Sequence, residues 1–268
     1  MCGRYAASNN PDDLQVEFEA ILAENAPDLP ARYNVAPTDQ VYGVRTRSLT
    51  PAKERAGYRR TAHSKDEEHK PYRELSVLSW GLVPSWAKDR KIGSKMFNAR
   101  VESLAEKPAF RTALQRRRVL IPADGWYEWM VTGSAAKGAG KQPYFMTQPD
   151  GSTMALAGLW EIWGTKPDLL LTCTVITIPS VGPLTEIHDR MPFVLPRERW
   201  DSWLDLSHPD PSGLLEPPPL EVVEVLELRP VGTEVGNVKN DGPELLDRVD
   251  LGRADRAQAQ QLSFDNPE

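Results

Sequence analysis

The second residue of the chain, Cys2, can do chemistry that an internal cysteine cannot. A small residue after Met1 favours removal of the initiator methionine, which would leave Cys2 with a free α-amine beside its thiol. Such a 1,2-aminothiol condenses with an aldehyde: the amine forms an imine, and the thiol closes onto the imine carbon as a thiazolidine. With an ordinary pKa of about 7.7–8.0, the α-amine is also less protonated at pH 7 than a lysine.

Arg4 favours reactivity of this thiol, since a neighbouring cation lowers the pKa of a cysteine. The chain has two cysteines, Cys2 and Cys173. Because one of them lies at the extreme N-terminus, we expect no structural disulfide and a reducing, cytoplasmic environment. The acidic pair Asp12-Asp13 argues against a signal peptide, and no apolar run approaches the length needed to cross a membrane.

The composition is that of an ordinary globular protein. The chain has 268 residues, of which 40% are hydrophobic and 26% charged, enough for one large domain with a sizeable core. The sequence contains no cysteine and histidine cluster at zinc-binding spacing, no P-loop and no Rossmann glycine pattern. We therefore expect neither a metal nor a nucleotide cofactor.

Charge is distributed unevenly along the chain. The whole chain has a net charge of −6, yet residues 88–118 carry a net charge of +7 and residues 196–227 a net charge of −6. A protein polarised in this way can bind a phosphate backbone on one face while its total charge is negative. A solvated helix face is an equally common cause of such a run.

Several polar residues lie in unusual local contexts. Asn98 and Arg100 come just ahead of a predicted helix. Glu128 is flanked by aromatic residues in a predicted strand, which tends to desolvate a carboxylate, raise its pKa and suit it to acid–base catalysis. His188 is one of four histidines and precedes an acid, Asp189. The alternatives are structural: a glutamate on the solvent side of its strand and a histidine that only packs.

The residue pattern predicts many short strands and few helices. Asn10 is a predicted N-cap of a helix that runs to about Ala23, and Ser103 with Glu106 forms a capping box that opens a second helix. The turn at 149–151 predicts a hairpin between its flanking strands. These features indicate an α+β domain whose antiparallel β-sheets form a barrel-like core flanked by short helices.

A single domain is predicted over residues 2–247. Within it, residues 46–74 are polar and highly charged without a hydrophobic period, so we expect a mobile insertion between two strands. Residues 248–268 are rich in Arg, Asp, Gln and Ala, and we expect this tail to be disordered.

Seven segments of the chain resemble, in order, the motifs of the SOS response-associated peptidase (SRAP) family. They are Met-Cys-Gly-Arg-Tyr at 1–5, Arg-Tyr-Asn-Val-Ala-Pro at 32–37, Trp-Gly-Leu-Val-Pro-Ser-Trp at 80–86, Asn-Ala-Arg-Val-Glu at 98–102, Ala-Asp-Gly-Trp-Tyr-Glu-Trp at 123–129, Ile-His-Asp-Arg-Met-Pro at 187–192 and Val-Gly-Asn-Val-Lys-Asn at 235–240. The resemblance covers about residues 2–245, apart from the insertion. It implies a single SRAP-type domain.

The resemblance also implies a reaction. In this family the mature N-terminal cysteine attacks the ring-opened aldehyde of an abasic site in single-stranded DNA and forms a stable thiazolidine crosslink. Cys2 would be the nucleophile, Asn98 would hydrogen-bond near the sugar, and Glu128 and His188 would handle protons. Sugar opening and carbinolamine dehydration need a proton donor, and the ammonium of Cys2 needs a base; a desolvated carboxylate or a histidine can serve near neutral pH.

A set of DNA contacts follows from the same resemblance. Guanidinium groups match phosphate oxygens, and aromatic side chains stack on unpaired bases with about 1–3 kcal/mol per base. Of the two motif tryptophans, Trp80 and Trp86, one is expected in the core. Trp86 is predicted to be the exposed one because polar residues surround it. Asn34 is expected to shape the pocket around Cys2. The predicted DNA-contacting residues are Arg4, Asn34, Trp80, Trp86, Arg100, Arg190 and Lys239.

Three functions are compatible with these residues. The favoured one is covalent capture of abasic sites in single-stranded DNA during the SOS response, by a monomer in the cytoplasm that associates with the nucleoid when bound to DNA. A replication partner is not identifiable from the sequence. The second is a cysteine peptidase that uses Cys2 and His188. In its narrowest form, this peptidase would only remove Met1 from its own N-terminus. The third is a non-covalent binder of single-stranded DNA, which would not need Cys2.

Overall fold

The computed structural model describes residues 2–47, 71–133, 140–165, 167–207 and 211–251. The centre of the predicted insertion, 48–70, and most of the predicted tail, 252–268, lie outside these ranges. The described ends of the insertion belong to strands, since one strand extends through Arg47 and the next begins at Tyr72.

Within the described ranges the chain forms thirteen strands and four short α-helices. The strands are β1 (Tyr5–Ala7), β2 (Ala20–Leu22), β3 (Arg32–Val35), β4 (Gln40–Arg47), β5 (Tyr72–Trp80), β6 (Asn98–Arg100), β7 (Arg118–Ala123), β8 (Gly125–Thr132), β9 (Gly140–Thr147), β10 (Met154–Trp163), β11 (Leu170–Pro179), β12 (Arg190–Pro192) and β13 (Glu227–Pro230). The helices are α1 (Pro11–Glu17), α2 (Pro108–Arg116), α3 (Trp200–Leu204) and α4 (Leu220–Glu224).

The strands form two sheets. The smaller sheet has the order β13-β9-β8-β1-β3, and the larger has the order β12-β11-β10-β7-β4-β5-β2 with β6 beside β11. β11 also pairs in parallel with β5, with Cys173 opposite Trp80, which closes β5, β4, β7, β10 and β11 into a ring. The predicted α+β domain with antiparallel sheets and a barrel-like core is therefore confirmed.

The core lies inside and around this ring. β7 is buried at every position and β10 at eight of its ten. Both strands are covered on two faces, because one face lines the ring and the other packs against α2 or α3. Their continuous apolar runs, such as 119–121, are what a strand buried on both faces requires.

The first helix is shorter than predicted. The side chain of Asn10 accepts a hydrogen bond of 2.9 Å from the backbone N–H of Asp13, so the predicted N-cap is confirmed. The helix ends at Glu17 rather than near Ala23, because Glu19 adopts a positive φ of 51° that α-helical backbone does not allow. The following residues form β2 instead.

The predicted capping box is wrong. The hydroxyl of Ser103 donates to the carbonyl of Arg100, and residues 101–103 form a 3₁₀ turn. The helix begins five residues later, at Pro108, whose fixed φ and missing N–H suit the first helical position.

The predicted hairpin across residues 149–151 is also wrong. β9 pairs with β8 and β13, whereas β10 pairs with β7 and β11. The turn therefore carries the chain from the smaller sheet to the larger one. Turn residues specify a change of direction, but the partner of each strand is decided by distant segments.

Candidate active site

The N-terminal segment places Cys2 against the centre of β8. β1 and β8 are antiparallel, with Tyr5 opposite Trp126. Continuing this register towards the N-terminus places Gly3 opposite Glu128 and Cys2 opposite Trp129, and the charge of Glu128 acts on the Cys2 thiol. Cys2 is fully buried, so its thiol is held in the protein interior rather than presented on the surface.

The environment of Cys2 keeps its thiol protonated. Burial raises the pKa of the thiol well above its ordinary value, and the carboxylate of Glu128 raises it further. The positive charge of the N-terminus and the backbone N–H of Arg4 lower this pKa, with smaller effects. Arg4 therefore does not activate the thiol through its guanidinium as predicted, and a reaction at Cys2 needs a neighbouring base.

Asn98 is positioned by β6 and holds Cys2 in place. Asn98 lies opposite Val175 in the parallel pairing of β6 with β11. Its Nδ2 donates a hydrogen bond of 2.6 Å to the backbone carbonyl of Cys2. Its Oδ1 is buried without a hydrogen-bond partner among the described residues, so it offers an acceptor to a bound molecule.

Glu128 has the perturbed acidity that its sequence context predicted. Only 4% of the residue is exposed, and burial raises the pKa of its carboxyl to about 7. The positive N-terminus lowers this pKa by a smaller amount, and Asp189 raises it slightly. A carboxyl that titrates near pH 7 can both accept and donate a proton under physiological conditions.

His188 lies in the turn before β12, and its ring is half-buried. Burial lowers the pKa of His188 below 6.5, and the positive N-terminus lowers it further, while Asp189 acts in the opposite direction. The backbone N–H of Arg190 donates to Nδ1 over 2.9 Å. Asp189 Oδ1 lies 2.9 Å and the carbonyl oxygen of Arg190 3.2 Å from the same nitrogen, so Nδ1 has both a donor and acceptors around it and the turn orients the ring in either tautomer.

The predicted catalytic residues thus lie in one place. Asn98 contacts Cys2 directly, and the charge of Glu128 acts on the Cys2 thiol. The charge of the N-terminus changes the pKa values of Cys2, Glu128 and His188 alike, as expected for groups that lie near one another.

Arg4 and Asn34 form a structural network rather than an open DNA-binding surface. The guanidinium of Arg4 donates to Asn34 Oδ1 and to the carbonyl of Val235, each over 2.7 Å. Asn34 is fully buried, and its Nδ2 donates to the carbonyls of three residues, Val235, Asn237 and Asn240. The predicted DNA contact of Asn34 is therefore wrong, because its polar atoms are used within the protein.

Arg190 is likewise engaged inside the protein. It is 9% exposed, and its guanidinium pairs with both carboxylate oxygens of Glu102 and donates to the carbonyl of Thr177. The predicted phosphate contact of Arg190 would have to compete with this ion pair. Arg100 and Lys239 are exposed, so their charges are accessible to a phosphate backbone.

The two motif tryptophans differ as predicted. Trp86 is 62% exposed and lies in the turn after β5. Trp80 is fully buried, with its ring packed edge-on against Tyr5 and Phe97 at centroid distances of 5.1 and 6.0 Å. The predicted stacking of Trp80 on a base is wrong: it supports the segments that carry Cys2 and Asn98.

Comparison with known proteins gives the chain its family. The profile of the family described as SOS response associated peptidase (SRAP) matches residues 1–238. The chain belongs to the SRAP family. The SRAP domain thus includes every described element from β1 to β13.

Two curated relatives align with this SRAP chain over nearly their whole length. The abasic site processing protein YoqW of Bacillus subtilis (strain 168) is 35% identical over 253 residues, 92% of this chain and 99% of that protein. The abasic site processing protein YedK of Escherichia coli (strain K12) is 30% identical over 258 residues, 93% of this chain and 100% of that protein.

A solved structure shares the SRAP fold. The crystal structure of a protein from Bacteroides thetaiotaomicron matches with a TM-score of 0.72 and 21% identity, over 92% of this chain and 100% of that one. At this identity the match supports the architecture of two linked sheets and a closed ring.

Sequence reasoning missed one acid that organises the SRAP site. The carboxylate of Asp241 accepts hydrogen bonds from the backbone N–H groups of Tyr33 and Asn34 and pairs with Arg32. It thereby fixes β3 against the 235–240 loop. The only local signal is the Asn-Asp-Gly turn at 240–242, because the partners lie about two hundred residues away in the sequence.

The described part of the SRAP chain contains no group of three His, Cys, Asp or Glu side chains that could hold a metal ion. Over the same residues, no helix combines the length and the apolar character that a membrane span requires.

Proposed function

We propose that this SRAP protein captures abasic sites in single-stranded DNA covalently, through a thiazolidine formed by Cys2. The observation that supports this most is the placement of a fully buried N-terminal cysteine beside a glutamate whose pKa burial raises to about 7. The relatives named abasic site processing proteins, aligned over more than nine-tenths of this chain, support the same substrate.

The first bond forms between the α-amine of Cys2 and the aldehyde carbon of the ring-opened abasic sugar. Glu128, as a carboxylate, takes a proton from the α-ammonium and frees its electron pair. The amine adds to the aldehyde to give a carbinolamine. Glu128, now protonated, donates to the departing hydroxyl, which leaves as water, and the nitrogen then returns its remaining proton to the carboxylate to give the imine.

The second bond closes the ring. The Cys2 sulfur adds to the imine carbon as the thiol proton passes to a base and the imine nitrogen receives a proton. The sum of the steps is amine, thiol and aldehyde giving thiazolidine and one water. Because burial keeps the thiol protonated, its proton must be removed during this closure, and Glu128 is the charged group that already acts on it.

His188 and Asn98 handle the sugar. The imidazole of His188 donates a proton to the ring oxygen as the sugar opens. The buried Oδ1 of Asn98 can accept a hydrogen bond from a sugar hydroxyl, which would satisfy an atom that now has no partner among the described residues.

DNA is held by exposed groups around this site. Arg100 and Lys239 supply positive charge, and Trp86 offers a ring on which an unpaired base can stack. We place the protein in the cytoplasm, on the nucleoid when DNA-bound, and expect it to act as a monomer. The names of the relatives favour abasic-site processing over the peptidase alternative, whose class name comes from the family description.

The N-terminus provides the test. A variant that retains one residue ahead of Cys2 keeps the thiol but converts the amine into an amide, which cannot form an imine. It should bind abasic DNA without forming a stable crosslink, and so should Cys2→Ala. Cys2→Ser keeps the amine and should form an imine that borohydride traps, without the stable thiazolidine.

The measurement is crosslink yield on denaturing gels, with the intact mass of each protein verified beforehand. The unmodified protein should gain the mass of the oligonucleotide less one water. A full-strength crosslink from a verified N-extended protein would eliminate the thiazolidine mechanism.

A further inference from the structure

A cavity lies beside Trp80. It has a volume of about 390 Å³, and its lining includes Thr38, Ser79, Val83, Arg90, Lys91 and Leu170. Trp80 lines this cavity as well, and its ring packs against Tyr5, in the strand that follows Cys2. Trp80 therefore links the cavity to the segment that carries Cys2.

The charge of the lining is entirely positive. Arg90 and Lys91 are exposed at the rim, and among the residues that the structure describes no acidic side chain lines the cavity. A pair of cations beside a concave surface attracts an anionic ligand and suits phosphate oxygens, and the carboxylate of Asp89 accepts from the backbone N–H of Lys91 outside this lining. The apolar side chains of Val83 and Leu170 give the same cavity a surface for a flat, apolar group.

The floor of the cavity is close-packed backbone. Gly81 has a φ of +138°, and a Cβ on Gly93 would lie 2.6 Å from the carbonyl oxygen of Gly81. The backbone N–H of Val83 donates to the hydroxyl of Thr172 over 3.0 Å, which ties this loop to β11. The cavity is thus held by glycine contacts and sheet hydrogen bonds, so it is preformed.

The exposed tryptophan is connected to the cavity through one strand pair. The indole N–H of Trp163 donates to the carbonyl of Ala87 over 2.7 Å, which holds the turn that presents Trp86. Trp163 pairs with Leu170, and Leu170 lines the cavity. The pair β10–β11 therefore supports both the turn that carries Trp86 and one wall of the cavity.

We infer that this cavity binds one nucleotide of the lesion-bearing strand, flanking the abasic site, with its phosphate at Arg90 and Lys91 and its base against Val83 and Leu170. This inference rests on the proposed function, because it takes the DNA strand to run from the Cys2 site past Trp86. It assigns a role in DNA binding to two cations that lie outside the family motifs found in the sequence.

The test measures affinity against strand length. Oligonucleotides carry a non-reactive tetrahydrofuran analogue of the abasic site and are shortened one nucleotide at a time from either end, and binding is followed by fluorescence anisotropy. For the unmodified protein, removal of the nucleotide that occupies the cavity should weaken binding about tenfold between two successive lengths, and only when the strand is shortened from one of its two ends. This abrupt loss of affinity is the step that the variants are tested for. The double variant Arg90→Ala/Lys91→Ala should bind the long strand about tenfold more weakly and show no step.

The matched control is Arg111→Ala/Arg116→Ala. Both arginines are exposed on α2 and belong to the same basic segment, so this variant loses the same charge outside the cavity. It should retain the step. A uniform loss of affinity with length for all three proteins, or a step that survives in the cavity variant, would overturn the inference.

Two further readouts separate the alternatives. Crosslinking of the unmodified protein to a long abasic oligonucleotide tests the proposed function alone. A crosslink without an abrupt tenfold loss of affinity on shortening overturns only the cavity assignment. That abrupt loss without a crosslink supports the cavity assignment and contradicts the proposed function. Deoxynucleoside monophosphate at 1 mM tests whether the cavity binds a free nucleotide instead. If it raises the Tm of the unmodified protein but not of the cavity variant, and affinity shows no step with strand length, then the ligand is a free nucleotide and the assignment to the DNA strand is wrong.

Discussion

The side-chain amide of Asn98 donates a hydrogen bond of 2.6 Å to the backbone carbonyl of Cys2. This contact joins the extreme N-terminus to β6, which is itself paired with β11 in the closed ring. A terminal residue would ordinarily fray, because few contacts offset its conformational entropy. Here the ring fixes the residue that we propose carries both reacting atoms, so the geometry of the proposed reaction would depend on this bond.

We therefore expect Asn98→Ala to slow crosslinking about 10- to 100-fold, since small misplacements of reacting groups have effects of this size. Asn98→Asp should be at least as slow, because its carboxylate cannot donate to the Cys2 carbonyl. The measurement is a single-turnover rate on abasic DNA. Unchanged rates in both variants would show that the hydrogen bond does not position Cys2.

Glu128→Gln should lower the single-turnover rate about 10²- to 10⁴-fold, the usual effect of losing one acid–base group. Because the pKa of Glu128 is about 7, the unmodified protein should also show an inflection of rate near pH 7, and the variant should lack it. Glu106→Gln, at an exposed glutamate, is the control and should keep both the rate and the inflection.

The same pKa predicts how stability changes with pH. The folded state holds the Glu128 proton up to about pH 7, whereas the unfolded chain releases it near pH 4.5, so the folded state binds more protons between these values. Stability is therefore lost as the pH rises from about 4.5 to about 7. Between pH 5 and 8 the free energy of unfolding of the unmodified protein, measured with urea, should fall by about 2–3 kcal/mol more than that of Glu128→Gln. An equal pH dependence in both proteins would contradict this.

The residues of the proposed catalytic set could be selected from the sequence because each of them belongs to a short contiguous motif. Cys2 is identified by position alone, and the aromatic neighbours of Glu128 correctly indicate a desolvated carboxyl. The arginines could not be assigned in this way. A guanidinium two residues from the nucleophile suggests phosphate binding, but Arg4 and Arg190 are engaged by partners up to 232 residues away in the sequence.

In the fold, too, features set by neighbouring residues could be predicted from the sequence, whereas features set by distant residues could not. Strands were predictable from short apolar runs, and the N-cap at Asn10 from residue type. The pairing of β9 and β10 with different strands was not, because the turn at 149–151 carries no information about which sheet each strand joins. Local context was sufficient for the two motif tryptophans, because the polar neighbours of Trp86 correctly predict that it, and not Trp80, is exposed.

Asn34→Asp should destabilise the protein by about 2–4 kcal/mol at neutral pH. The substitution places a carboxylate oxygen against the three backbone carbonyls that Asn34 Nδ2 now satisfies, in a fully buried position. Urea unfolding at pH 7 measures the loss. Asn237→Asp is the control: this residue is exposed, so its unfolding midpoint should change little.

Arg100 and Arg190 should separate DNA binding from stability. Arg100→Ala removes an exposed charge and should reduce the dependence of single-strand affinity on log salt by about 0.7, the value for one phosphate contact. Arg190→Ala leaves Glu102 without its bidentate partner and should lower the unfolding midpoint instead. Equal salt slopes for Arg100→Ala and the unmodified protein would remove Arg100 from the DNA contacts.

Trp86→Ala should weaken binding to single-stranded DNA without weakening the fold. An exposed ring that stacks on a base contributes about 1–3 kcal/mol, so the affinity should fall about 5- to 150-fold. Stability should change by less than about 0.5 kcal/mol, because the side chain is mostly solvated. Trp80→Ala is the informative counterpart, since removal of a fully buried ring should cost about 3–5 kcal/mol of stability. If Trp86→Ala binds with unchanged affinity, or unfolds as easily as Trp80→Ala, then Trp86 packs within the protein and the base-stacking role is wrong.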